Sequence, residues 1–211
     1  MRYLALVTVF VLLALAAWAS WVHSAWWLAA VAPFAIERGL VAAADPESVD
    51  VTVELPAGSR FTAESAVGSV RTEGRLAATR IKATTGTVEL DTTGDLWLRA
   101  GHGNATAGTV DGTAEITADH GQIRIDSIAR DAVLKASHGS IRIGETSGGV
   151  EANLSYGDLD IDRATSSVSA KTAYGAITLN EVSDGVIDLE SSYGKLTVGV
   201  AEGVPAWLDL D

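Results

Sequence analysis

Three histidines recur at intervals of 18 residues, and each directly precedes a glycine: His102, His120 and His138. Imidazole nitrogens are common ligands of zinc and copper, so three imidazoles in successive repeats form a candidate metal site. The same column continues with three tyrosines, which are not the usual ligands of these metals: Tyr156, Tyr174 and Tyr193. We therefore predict a stacked imidazole and tyrosine ladder, with a metal at the three histidines as the alternative. Mild acid sensitivity is expected because neighbouring imidazolium charges repel each other.

Three aspartates alternate along one short segment, and alternate residues of a strand point to the same side: Asp158, Asp160 and Asp162. Such a row can bind calcium, and two carboxylates can also act as the acid and base of a polysaccharide-cleaving enzyme. The row occurs in one repeat only, and Arg142 occupies the position that matches Asp160 in the preceding repeat. A cross-strand ion pair is therefore the favoured prediction. We predict that the chain is not an enzyme and needs no cofactor.

The elements that position these residues follow from a repeat of about 18 residues, each copy centred on a glycine. Successive glycines are separated by 17 to 19 residues: Gly68, Gly86, Gly103, Gly121, Gly139, Gly157, Gly175 and Gly194. A period this short and regular is typical of a solenoid, whose coils bury their apolar sides only against neighbouring coils. We expect each glycine to take a positive φ, and the small residues three positions earlier to form a tight corner.

Apolar and polar residues alternate around each glycine, which predicts strands with one buried face. The inward columns lie five residues before the glycine and two and four residues after it, as at Ile116, Ile123 and Ile125 around Gly121. We predict an all-β fold, a single-stranded parallel β-solenoid (β-helix) of about eight 18-residue coils over residues 46–211. Like strands of successive coils should lie about 4.8 Å apart.

Residues 3–36 contain no Asp, Glu, Lys or Arg, and this stretch exceeds the roughly 20 residues that cross a bilayer. We predict a hydrophobic transmembrane helix within a membrane segment at residues 1–45, with residues 4–21 as its strongest span. A single anchor with its positive end inside places the solenoid outside the cytoplasmic membrane, at the cell surface. A cleaved signal peptide is the second interpretation. A hairpin of two short spans is the third, and it leaves the solenoid on the cytoplasmic face.

The charge balance limits the partners of the solenoid. Residues 45–211 hold 13 basic and 26 acidic side chains, a net charge of −13. This charge argues against nucleic acid or an anionic membrane surface as a partner. The chain has no cysteine, so it forms no disulfide and carries no thiol chemistry.

Four sequence blocks resemble a bacterial adhesin-like family of β-solenoid proteins, catalogued as a domain of unknown function: VDVTVELPAGSR at 49–60, AEITADHGQIRI at 114–125, VSAKTAYGAITLNEV at 168–182 and AWLDLD at 206–211. The resemblance covers residues 47–211. It implies a repetitive parallel-β domain, assigned to adhesion by analogy with surface β-helices, and it supplies no agreed catalytic residues to carry over to this chain. Members usually continue past the last block, whereas this chain stops at Asp211, so we expect the domain to be incomplete at its C-terminus.

Two functional hypotheses follow from the sequence. The first is a non-enzymatic, adhesin-like domain, membrane-tethered or exported, that presents a binding surface at the cell envelope. The second is a structural scaffold, similar in principle to the bactofilins. It would self-associate through the open final coil, where backbone groups lack a neighbouring strand.

Overall fold

The computed structural model describes residues 4–11, 40–45, 48–207 and 209, and every regular element in these segments is a strand. The strands are β1 (Leu4–Val11), β2 (Leu40–Asp45), β3 (Ser48–Pro56), β4 (Phe61–Glu73), β5 (Thr79–Thr85), β6 (Val88–Thr93), β7 (Leu96–His102), β8 (Ala105–Val110), β9 (Ala114–His120), β10 (Ile123–Ile128), β11 (Ala132–His138), β12 (Ile141–Thr146), β13 (Val150–Tyr156), β14 (Leu159–Ala164), β15 (Val168–Tyr174), β16 (Ile177–Val182), β17 (Ile187–Tyr193) and β18 (Leu196–Val200).

From β4 onward the strands alternate between two parallel sheets, so each coil contributes one strand to each sheet. The even sheet stacks β6, β8, β10, β12, β14, β16 and β18, and the odd sheet stacks β5, β7, β9, β11, β13, β15 and β17. Strand β4 is long enough to begin both sheets, pairing with β5 and with β6. Each residue pairs with its equivalent one coil later, for example Ile123 with Ile141. The predicted parallel β-solenoid of about eight coils is confirmed.

The two sheets face each other and bury their inward side chains in one continuous core. In the even sheet, the columns two and four residues after the glycine are buried, as at Ile141 and Ile143, both 0% exposed. In the odd sheet, Leu134 represents the buried column five residues before the glycine. Two more inward columns, which the sequence analysis did not identify, lie seven residues to either side of the glycine, as at Ala132 and Thr146.

The tight corner predicted three residues before the glycine is wrong. Ala100, Ala118 and Ala136 of this column lie inside odd strands and point into the core, with 1–5% of their surface exposed. Leu154 fills the same column and is also buried. This column lies two positions after the inward column that is five residues before the glycine. Because alternate residues of a strand share a face, both columns point into the core.

The turn from the odd sheet to the even sheet requires glycine for two reasons. Seven of the eight repeat glycines have φ between +130° and +150°, whereas Gly194 in the last described coil has no positive φ, so the prediction is wrong there. A Cβ on Gly139 would also overlap the carbonyl of Gly121 in the preceding coil. Successive coils thus stack backbone on backbone at this turn, and the Gly139 N–H donates to the Tyr156 carbonyl at 3.0 Å.

Three antiparallel strands precede the solenoid. Strand β3 pairs with β1 and β2, and β1 also pairs with β4 over Gly68–Glu73. The predicted transmembrane helix is not observed in its described part, because residues 4–11 form β1, and residues 12–39 lie outside the described segments. The described segments contain no helix of the length and apolarity that a membrane span needs.

Candidate functional site

The histidine and tyrosine column forms a stacked ladder at the end of the odd strands. All six rings are solvent-exposed, with Tyr156 49% exposed and Tyr174 46% exposed. Neighbouring ring centroids lie 4.7–5.1 Å apart and the ring planes differ by 1–9°. This spacing follows the strand separation, so the regular stacking of coils sets the stacking of rings. The ladder therefore presents one exposed, polar ring in each of six successive coils.

The three histidines of the ladder are not arranged to share one metal ion. Their centroids are 4.7 and 4.8 Å apart and their planes are parallel to within 4°. The lone pair of an imidazole nitrogen lies in the ring plane, so the lone pairs of parallel stacked rings do not converge. Zinc needs each nitrogen at about 2.0–2.1 Å. Within the described segments, no group of three His, Cys, Asp or Glu side chains has a geometry suited to a metal.

The aspartate row is engaged in contacts between coils. Arg142 donates to Asp160 Oδ2 through Nε at 3.2 Å and through a terminal nitrogen at 2.5 Å, which confirms the predicted cross-strand ion pair. This hydrogen bond and the charge of Asp160 raise the pKa of Arg142 above its ordinary value. Asn180 of the next coil donates to Asp160 Oδ1 at 3.3 Å and to Asp162 Oδ1 at 3.0 Å. These carboxylates therefore tie three coils together.

The first aspartate of the row closes a turn between coils. Asp158 Oδ1 accepts a hydrogen bond from the backbone N–H of Ala176, one coil later, at 2.8 Å. Asn104 makes the equivalent contact with the backbone N–H of Gln122 at 3.0 Å. Because a side chain of one coil satisfies a backbone donor of the next, the residue directly after the turn glycine has a structural role.

The central strands of the two sheets carry opposite net charge on their outer faces, and Glu64 of β4 with Asp188 and Glu190 of β17 adds three acidic side chains at the ends of the odd face. The six odd strands from β5 to β15 point five basic and three acidic side chains outward, whereas the six even strands from β6 to β16 carry three basic and seven acidic ones. We call the five basic residues the odd-sheet cations: Arg80, Lys82, Arg99, Lys135 and Lys171. The net charge of the chain does not reveal this division. Four of the five are visible in the sequence as one column, four residues before the turn glycine.

The cations of the two faces also differ in their partners. On the even sheet every basic side chain from β6 to β16 forms an ion pair, with Asp126, Asp160 or Glu181. On the odd sheet, Arg99 and Lys135 form no ion pair with any residue of the described segments. The odd sheet therefore presents cationic groups that remain available to a ligand.

An aromatic side chain adds to the cationic face at its N-terminal end. The guanidinium carbon of Arg80 lies 3.9 Å from the ring centroid of Trp97, one coil later. Trp97 is half-buried and Arg80 is exposed. This cation–π contact holds the guanidinium against the sheet while its N–H groups remain open to solvent.

The even sheet carries a shallow depression rather than a deep pocket at its N-terminal end. Its volume is about 280 Å³ and its lining is polar except for one residue: Ser69, Val70, Arg71, Thr87 and Glu89. The Arg71–Glu89 ion pair, at 2.9 Å, lies across it. A site this open does not exclude water from a group bound in it.

The fold and these surfaces define a two-sheet parallel β-solenoid whose polar groups are displayed in straight outward columns. The family described as Toastrack DUF4097 matches residues 45–204, and the chain belongs to this family. No curated protein and no solved structure matches the chain significantly. The family match agrees with the β-solenoid domain of unknown function that the sequence blocks indicate.

Proposed function

We propose that this chain is a non-enzymatic, adhesin-like β-solenoid, membrane-tethered or exported, that presents a binding surface at the cell envelope. The observation that carries this proposal is the display of rigid, exposed columns, foremost the six stacked rings of the ladder. A repeated coil fixes the spacing of like groups along its axis, which suits recognition of an extended partner.

The engaged state of the carboxylates supports a non-enzymatic role. Asp158 accepts a backbone hydrogen bond, and Asp160 and Asp162 accept hydrogen bonds from neighbouring coils. A general acid and base pair needs carboxylates that are free to exchange protons with a substrate. In this row the oxygens instead serve the stacking of the coils.

The apolar segment at residues 3–36 supports a tether to the lipid bilayer, because residues 12–36, which follow β1, contain no Asp, Glu, Lys or Arg and exceed the roughly 20 residues that cross a bilayer. A single span after Arg2 exports the solenoid under the positive-inside rule, and it requires β1 to separate from β3 and β4, because both partners lie on the solenoid side of the segment. A hairpin within the segment would reverse the orientation, and cleavage after it would release the domain.

Protease treatment of intact cells tests the exported location. A C-terminally tagged full chain should be degraded in intact cells, while a cytoplasmic marker protein in the same cells stays intact. Complete protection until the cells are lysed would contradict the proposal and favour the hairpin. A reporter that is active on only one side of the membrane, fused after Pro46, gives an independent result.

A self-assembling scaffold is the second candidate, favoured by the apolar end of the last described coil. Leu196 and Val198 are each 44% exposed and Val200 is 47% exposed, whereas their equivalents in inner coils are buried. Electron microscopy of the full chain in non-ionic detergent should then show filaments. Val198→Lys should abolish them and the matched outer-face control Thr197→Lys should not. Sedimentation as a concentration-independent monomer would contradict this candidate.

A further inference from the structure

We propose that the outer face of the odd sheet binds a linear acidic polysaccharide, laid along the solenoid axis. This inference rests on the proposed function, since it names the partner of an envelope-displayed surface. The odd-sheet cations supply the charge complementarity, and the regular coil supplies the geometry.

Four of the odd-sheet cations form one straight column. Strand pairing places Lys82 opposite Arg99, then Thr117, Lys135, Asn153 and Lys171 in successive coils. With a rise of about 4.8 Å per coil, the column from the first to the last cation is about 24 Å long. Every side chain in it is a cation or a neutral hydrogen-bonding group. Four of the six coils therefore offer a cation to an extended polymer with a repeating carboxylate, whereas the amide of Asn153 already donates to Glu151 Oε1 at 3.1 Å.

The centre of the column is the part most available to a ligand. At its two ends, Lys82 pairs with Glu64 at 2.5 Å and Lys171 pairs with Glu190 at 2.8 Å. Between these ends, Arg99 and Lys135 have no acidic partner in the described segments. The glutamates thus limit the cationic column at both ends and leave Arg99 and Lys135 without an ion pair, with Glu115 and Glu151 opposite Val133 as the nearest acidic column.

The Arg80–Trp97 stack extends the same face beside Arg99. Strand pairing places Arg80 directly opposite Trp97, and Arg99 lies two residues along the same strand as Trp97. A guanidinium held against an aromatic ring is preorganised for contact with a carboxylate. The indole adds an apolar surface against which a sugar ring can pack.

Charge density favours an acidic polysaccharide over nucleic acid. Double-stranded DNA carries a negative charge every ~1.7 Å, and the net charge of −13 on residues 45–211 repels such a polymer strongly. The four column cations are spread over about 24 Å, a spacing that matches a polymer with sparse charges. An anionic bilayer is also disfavoured as the partner. Its flat surface would bring lipid phosphates against the acidic side chains Glu115 and Glu151 of this face.

Binding of sodium polygalacturonate to the full chain in non-ionic detergent tests the inference, with dextran as the neutral polymer. Polygalacturonate should bind and dextran should not, and the affinity should fall at least tenfold between 50 and 500 mM NaCl. The double variant Arg99→Gln, Lys135→Gln should weaken binding at least tenfold. It should also reduce the slope of log affinity against log salt by about one to two. The control Arg124→Gln, Arg142→Gln removes the same charge from the even sheet and, at 0.15 M salt, where the two faces are screened from each other, should leave the odd-face interaction no weaker.

The outcomes separate this inference from the proposed function. Absence of polygalacturonate binding, or equal weakening by both double variants, would overturn the inference even if protease treatment shows an exported domain. Binding only to phosphatidylglycerol vesicles or to single-stranded DNA would overturn the polysaccharide assignment. Polygalacturonate binding by a chain that is fully protected in intact cells would instead overturn the envelope function and leave the binding site standing. Unchanged circular dichroism of both variants establishes that each is folded.

Discussion

Adding a methyl group at a turn glycine has two costs in this protein: backbone strain at positive φ, and overlap with neighbouring backbone. Alanine substitutions at three glycines distinguish these costs. Gly139 has φ +144°, and a Cβ there would also overlap the carbonyl of Gly121. Gly58 has φ +79°, but nothing lies within 4 Å of its Cβ position. Gly149 has no positive φ, and the nearest atom to its Cβ position is Asp131 Oδ1 at 3.4 Å, an ordinary contact. Alanine therefore meets both costs at Gly139, backbone strain alone at Gly58, and neither cost at Gly149.

The magnitudes follow from the two costs. A non-glycine residue at positive φ costs about 1–3 kcal/mol, and forcing neighbouring backbone apart costs about as much again. Gly139→Ala should therefore lower the free energy of unfolding by about 2–6 kcal/mol, and Gly58→Ala by about 1–3 kcal/mol. Gly149→Ala should be neutral or stabilise by up to about 1 kcal/mol, because alanine restricts the unfolded chain.

Urea unfolding of the full chain in detergent, followed by circular dichroism, measures all three variants under the same conditions. The ranking Gly139→Ala, Gly58→Ala, Gly149→Ala is the expected order of destabilisation. A Gly139→Ala variant no less stable than Gly58→Ala would refute the close backbone stacking at the turn, because φ strain alone would then account for both.

Three further predictions concern the ladder, the core and the ion pairs. Tyr174→Ala removes two ring stacks and should lower the free energy of unfolding by about 1–3 kcal/mol. Tyr193→Ala removes one ring stack and should cost about half as much. Equal losses for the two variants in urea unfolding would contradict a contribution from stacking. Ile143→Ala leaves a cavity in the core and should cost about 2–5 kcal/mol by the same measurement. The hydrogen bond and charge of Lys171 lower the pKa of Glu190 below its ordinary value of 4.5, so the pair stabilises the fold above that pH and less as pH falls through the lowered pKa. The difference in melting temperature between wild type and Glu190→Gln should therefore disappear on acidification, and a difference that persists at low pH would contradict the pairing.

The repeat glycines made the coil and most of its core columns predictable, because each glycine fixes the register of the residues around it. The column three residues before the glycine was misinterpreted because Ala100, Ala118 and Ala136 are small, and small residues also suit corners. Leu154 in the same column was the available signal, since a large apolar side chain is unsuited to an exposed corner. Side chains alternate between the two faces of a strand. The column three residues before the glycine therefore shares the buried face of the column five residues before it.

The candidate site was less predictable because its properties depend on which columns share a face. The sequence shows Asp160 and Arg142 one repeat apart, and that pairing was predicted and is observed. It does not show that the guanidinium of Arg80 lies on the ring of Trp97 rather than extending into solvent. The availability of Arg99 and Lys135 likewise depends on where acidic side chains come to lie.

The division of charge between two faces gives the proposed polysaccharide site a distinctive salt dependence. The sheets lie about 10 Å apart, and outward side chains add to the distance between the two sets of charges. At 0.15 M salt the Debye length is about 8 Å, so a ligand on the odd sheet interacts mainly with that sheet. At 0.01 M the Debye length is about 30 Å, and the seven acidic side chains on the even strands then repel the same ligand.

Lowering the salt should therefore strengthen polygalacturonate binding less steeply below about 0.05 M than above it. Neutralising even-sheet carboxylates with Asp126→Asn and Glu181→Gln should restore the steeper dependence at low salt and change little at 0.15 M. A salt dependence that is linear on logarithmic axes throughout, in both forms, would show that the acidic face has no influence on the ligand. The net charge of −13 predicts repulsion of polyanions from the whole domain, whereas separated faces predict attraction at one face with repulsion that appears only when screening is weak.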